Sequence, residues 1–291
     1  DEWDHIGRSI RLQQEGFSYF TSHTPIEIGF DIILLIISAI LSIFKTDIVY
    51  IYQFLPAINA LAIALILFFY MKKQFNNYWL ALSTIPFLAV LPSNVNILGI
   101  WFYVPILASV PFIYLSLLNL EKAVRENSRK NLYLAAFFLF LIAFIHQSSF
   151  LLLFIVFLIY LSYNYKFAIE HKKLFYPLAI LIIPAIIMFL HLTNNLSNIS
   201  NFFSSFTWGP ISPQINYNPF TLYGILASFF LIIGLYFSFK NKTFPTFRIY
   251  SLISLISILL FPLLNFSIFS AYQRYIYHFM IASIPLSALG L

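Results

Sequence analysis

Three carboxylates and an imidazole occupy the first five residues, Asp1-Glu2-Trp3-Asp4-His5. Carboxylates this close raise one another's pKa, and apolar surroundings raise them further, which makes a proton acceptor near neutral pH. The same acids also suit the first turn of a helix, where they complement the dipole. At the other end of the chain Arg274 stands among Tyr272, Tyr275 and Tyr277. A guanidinium presents a planar fork matched to phosphate oxygens, although an arginine among tyrosines is equally an ordinary membrane-interface anchor. Together the two groups describe a site that handles a phosphate and a hydroxyl.

A metal is the other chemistry open to the first five residues, since three carboxylates and a histidine could hold a hard divalent cation. Helix geometry sends adjacent side chains in different directions, and a closed site would need further carboxylates. No later segment expected on the same face supplies one, so the expectation is no metal and no cofactor. Cysteine is absent, which removes disulfides, thiolate nucleophiles and cysteine metal sites.

What must hold these residues is a membrane fold. With 61% of its residues hydrophobic and 9% charged, the chain cannot be a soluble globule. Apolar runs near 48–71, 78–93, 100–120, 132–147, 149–165, 174–192, 219–239, 249–268 and 275–291 predict an all-α, polytopic transmembrane helical bundle of about nine spans. The net charge of +6 does not point to nucleic acid, because the basic residues punctuate apolar runs instead of forming a stripe. Lys72, Lys73, Lys122, Arg125, Arg129, Lys130, Lys166, Lys172, Lys173, Lys240, Lys242 and Arg248 fall on one side of such a bundle, and Arg8, Arg11, Lys45 and Arg274 on the other. The positive-inside rule puts the first set in the cytoplasm and the N-terminal acids outside.

Two runs need a decision. Between Asp31 and Lys45 only 13 uncharged residues run uninterrupted, which is about 20 Å of helix against a hydrocarbon core of about 30 Å. Residues 26–44 are therefore expected as a juxtamembrane helix against the outer leaflet. The run 132–165 is broken by His146-Gln147-Ser148-Ser149, polar groups that are costly at mid-bilayer unless paired. Two short spans meeting at an outer turn are expected there. The chain starts without methionine and ends inside an apolar run, which reads as a single domain, 1–291, cut from a longer protein with at least one span upstream.

On this topology seven of the ten acids lie before residue 48, and they are the only carboxylates facing outward. Later outer ends offer His146, Gln147, His191, Arg274 and His278, and the loop 193–218 brings Trp208-Gly209-Pro210 among asparagines and serines. Any general base on that face must come from the early acids.

At this point the residues resemble a known group. Asp1 with His5 four residues later, Arg8 and Arg11, then Glu15-Gly16-Phe17, look like the first extracytoplasmic loop of the GT-C superfamily of polytopic glycosyltransferases. Thr24-Pro25-Ile26-Glu27-Ile28-Gly29 is similar to the juxtamembrane helices of that loop, and Tyr272-Gln273-Arg274-Tyr275 to a late segment whose arginine meets the lipid phosphate. The resemblance implies a polyprenyl- or dolichyl-phosphate-linked sugar donor, a glycan, lipid or protein acceptor, and contact with membrane lipid. It implies Asp1 as base, with Glu2 and Asp4 beside it, and Arg274 on the lipid phosphate; His5, Arg8, His146 and Tyr275 are the further candidates for substrate contact on that face. The stretch from Pro92 to Phe102 lacks the acid that many relatives carry in their second outer loop. A polysaccharide polymerase or ligase is the alternative enzyme, disfavoured by the single outward arginine after residue 11. A transporter or flippase is the alternative from another class, disfavoured by the absence of repeats and of charges at mid-run. Frequent Ile, Phe, Lys and Asn favour the plasma membrane of a prokaryote; in a eukaryote the matching membrane is the endoplasmic reticulum.

Overall fold

A computed structural model of the chain describes residues 2–19, 28–46, 48–91, 102–171, 207–208, 223–264, 267–268 and 272–291. These residues are helical apart from the turns and short connections between helices and a two-residue antiparallel pair, Thr207–Trp208 (β1) with Ser267–Ile268 (β2). The helices are α1 (Glu2–Glu15), α2 (Ile28–Ile43), α3 (Ile48–Tyr52), α4 (Leu55–Phe75), α5 (Tyr78–Leu82), α6 (Thr84–Ala89), α7 (Pro105–Glu126), α8 (Arg129–Ile145), α9 (Gln147–Tyr163), α10 (Tyr165–Glu170), α11 (Ile225–Lys240), α12 (Pro245–Leu264) and α13 (Tyr272–Gly290).

Three of them, α4, α7 and α12, are long and apolar enough to cross a membrane. In α7 78% of the apolar window is buried, against 28% in α4 and 33% in α12, so α7 is the central post and the other two face outward. Their outward faces are apolar: Ile58, Leu61, Leu65 and Phe69 on α4, and Leu252, Ile256, Leu259 and Leu263 on α12, are all exposed. Helical spacing of exposed apolar side chains is stable where lipid, not water, is the surroundings.

The nine spans expected from the sequence are not reproduced at full length. Helices α9 and α11, of 17 and 16 residues, reach only about 25 Å. The run at 48–71 splits because Pro56 has no N–H to give the carbonyl of Tyr52, so α3 ends and α4 restarts at Leu55. Pro86 does the same to the carbonyl of Leu82 and separates α5 from α6. The break expected in 132–165 is present: α8 ends at Ile145, α9 begins at Gln147, and His146 between them is extended. The run 174–192 lies outside the described residues.

Basic residues gather at one end of the bundle. Glu121, near the end of α7, accepts hydrogen bonds from the N–H (2.9 Å) and hydroxyl (2.6 Å) of Thr246 in the first turn of α12. Phe244 packs on Tyr70 and Phe75 of α4, and the His171 ring bonds Asn127 at 2.8 Å. These contacts bring together the segments carrying Lys72, Lys73, Lys122, Arg125, Arg129, Lys130, Lys166, Lys240, Lys242 and Arg248. Lys172 and Lys173 lie outside the described residues.

Candidate functional site

The opposite end of the bundle is built by α1, α2, the start of α7, the turn between α8 and α9, and the start of α13. Tyr52 donates to the carbonyl of Tyr103 at 2.5 Å, and Tyr103 packs on Phe30 of α2, which fixes α2 over the entry to α7. Gly29 lets α2 close onto α8: a Cβ there would lie 2.6 Å from the Cβ of Phe144. Two residues on, Asp31 is fully buried, and its Oδ1 lies 3.3 Å from Nη2 of Arg8 on α1. The same Nη2 donates to Nδ1 of His5 at 2.9 Å, while the His5 ring stands edge-on to Phe30. Arg8 thus ties a carboxylate on one helix to an imidazole on another.

The electrostatics follow from this packing. Arginine only donates, so Nδ1 of His5 accepts and the ring is neutral, with its proton on Nε2. Burial, then the Arg8 charge and that of the N-terminal amino group, lower the His5 pKa to about 4, with Asp4 opposing and Arg274 adding least. Burial raises that of Asp31, and Arg8 holds it back. Both Asp31 oxygens are buried and accept no hydrogen bond among the described residues, although Arg8 is in ion-pair range.

A second cluster continues the site into the bundle. The N–H of Ser149 donates to Nδ1 of His146 at 3.3 Å, which caps α9. A backbone N–H can only donate, so that nitrogen is an acceptor and the Ser149 hydroxyl, 2.6 Å away, donates to it as well. The Ser149 oxygen can then accept from Nε2 of His278 at 3.5 Å, leaving Nδ1 of His278 to accept from the Tyr250 hydroxyl at 2.5 Å. One direction of donation runs from α12 through α13 to α9. The charge of Arg274 acts on His146, Tyr277 and His278 as well as on His5.

Of the residues singled out in the sequence, His5, Arg8, His146 and Arg274 are thus brought to one end of the molecule. Asp4 is exposed on α1, one residue before His5. Glu2 opens α1, and the side chains of Asp1 and Glu2 lie outside the described residues. Tyr275 is 2% exposed and turned into the bundle, its ring 6.4 Å from that of His278. Trp208 pairs through its backbone with Ser267, which brings one point of the loop 193–218 beside the segment that follows α12. His191 and the rest of that loop lie outside the described residues.

Sequence reasoning gave no role to Asp31, Ser149 or Tyr250. The signal for Asp31 was available: an acid entering an apolar helix needs a partner, and Arg8 is one. Among the described residues no group of three or more His, Cys, Asp or Glu side chains could hold a metal ion. No protein-family model matches the chain, and neither does any curated protein or solved structure.

Proposed function

We propose that the chain is an inverting glycosyltransferase of a multi-pass membrane protein, taking a sugar from a lipid-phosphate carrier to an acceptor hydroxyl at the extracytoplasmic face. The observation that carries this reading is that α1, with His5 next to Asp4 in the helix opened by Glu2, lies at the same end of the bundle as Arg274, the weakest of the charges acting on His5. A carboxylate of Asp1, Glu2 or Asp4 takes the proton of the acceptor hydroxyl. The freed oxygen attacks the anomeric carbon as the bond to the phosphate oxygen breaks, and the lipid phosphate leaves with its charge held by Arg274. Arg8, through Asp31 and His5, holds α1 on α2 so that its first turn stays in place.

The bundle supports this reading by placing basic segments at the end away from Arg274, as a cytoplasmic face requires. The remaining apolar runs complete the crossing as short, tilted or paired helices, about nine in all, in the plasma membrane of a prokaryote. The test is transfer of sugar from a polyprenyl-phosphate donor by the purified full-length protein. Asp1→Asn is expected to lower turnover by a hundredfold or more, the usual worth of a general base. Arg274→Ala is expected to cost roughly a hundredfold, chiefly in use of the donor. Donor transport across vesicles without transfer would replace this reading with a flippase.

A further inference from the structure

At the basic end, away from Arg274, a cavity of about 690 Å³ opens between α9, α11, α12 and α13. Its walls include Leu231, Leu235 and Phe239 on one face of α11, Leu252 and Leu255 on α12, and Phe279. From Pro245 to Leu255 it follows α12 for about 15 Å, half the hydrocarbon thickness and so the depth of one leaflet. Phe239 is 65% exposed and Leu252 57%, so the groove is open to the side, where lipid chains lie. Its rim is cationic: Lys242 and Arg248 line it, and no acid does. The Arg248 guanidinium stands 4.2 Å from the Phe239 ring centre. Arg248 Nε and, one turn further in, the Ser251 hydroxyl are buried and have no hydrogen-bond partner among the described residues. Glu121, whose charge acts on Arg248, is engaged by Thr246.

An apolar trough one leaflet deep, opening sideways and closed at its rim by two cations and an unsatisfied donor, matches a molecule with acyl chains below an anionic head. We propose that this groove binds one anionic glycerophospholipid from the leaflet at the basic end, with its phosphate on Arg248 and Lys242 and a chain along α12. Its volume falls within the range of about 300–1,000 Å³ usual for small-molecule sites. Such a lipid fixes α11 and α12 against α9 on the face opposite the transfer chemistry, so its binding stands apart from that reading.

The test uses the full-length protein in phosphatidylcholine nanodiscs doped with photoreactive phosphatidylglycerol or, separately, photoreactive phosphatidylcholine. Phosphatidylglycerol is expected to label Leu252, Leu255 and the Leu231–Leu235 face at least fivefold more than phosphatidylcholine, from about 1 kcal/mol per cation converted to a ratio. Arg248→Gln combined with Lys242→Gln should bring that ratio to one while the phosphatidylcholine signal persists, which reports an intact groove. Lys73→Gln with Lys122→Gln, on the groove between α4 and α7, should leave the ratio unchanged. Equal labelling by both lipids, or a ratio indifferent to Arg248 and Lys242, overturns the proposal. So does displacement of phosphatidylglycerol by an equal amount of a polyprenyl phosphate, which would make the carrier the occupant, or by millimolar inorganic phosphate, which would make the site one for a free anion.

Discussion

His5 and Asp31 sit against the same guanidinium, yet their titrations pull stability in opposite directions. The folded chain protonates His5 only near pH 4, whereas the unfolded chain does so near the ordinary 6.5. Between those values the unfolded state binds more protons, so stability present above pH 6.5 is lost as the pH falls towards about 4. Asp31 has a raised pKa, so above its ordinary 3.8 the folded state holds the extra proton and stability falls as the pH rises through that window. Thermal unfolding of the solubilised full-length protein between pH 7.5 and 4 separates the two. His5→Gln should flatten the loss on the acid side, and Asp31→Asn should steepen it. An acid profile indifferent to His5→Gln would show that the imidazole is not held neutral by its burial and by Arg8.

These side chains meet because α2 lies unusually close to α8, and Gly29 is the residue that permits it. A methyl group at position 29 would sit 2.7 Å from the carbonyl carbon of Phe144, so α2 must move outward and take Asp31 with it. Gly29→Ala is expected to cost about 1–3 kcal/mol of stability and to lower the proposed sugar transfer through loss of the Arg8–Asp31 pair. Gly7→Ala on α1 meets nothing within 4 Å and is expected to be neutral or to stabilise α1 by up to about 1 kcal/mol. Equal effects from the two substitutions would rule out the close approach of α2 as the cause. The sequence foretold some of this arrangement and not the rest, for identifiable reasons. The turn at His146 was legible because four polar residues cannot sit unpaired in an apolar run, and α2 falls within the apolar run 26–44 that marked a helix. The splits at Pro56 and Pro86 carry a local signal that hydropathy averages away. The partnership of Arg8 with Asp31 joins two helices whose relative register no local pattern encodes, and the relay from Tyr250 to His146 draws on three elements.

At the scale of the molecule the chain is a set of apolar faces between two chemically different ends. Exposed Ile36, Ile40, Leu61, Phe69, Leu259 and Leu263 form surfaces that water would not tolerate in this number. One end carries His5, Arg8, Asp31, His146 and Arg274; the other carries ten described lysines and arginines, held together by Glu121, Thr246 and Phe244. An energetic asymmetry follows, because each cation left on the far side during insertion opposes the positive-inside bias. The two ends should therefore face opposite compartments, and residues 1–291 hold no cysteine to compete for a label. In the full-length protein, Asp4→Cys places a thiol on the exposed face of α1, and Lys73→Cys and Lys130→Cys place thiols at the basic end, where both lysines are exposed. A membrane-impermeant maleimide added to intact cells should modify the cysteine at position 4 at once and those at 73 and 130 only after permeabilisation. Reaction of all three from outside would dissolve the two-ended arrangement. Reaction at 73 and 130 but not at 4 would invert it, placing the Arg274 end in the cytoplasm and removing the extracytoplasmic transfer reaction with it.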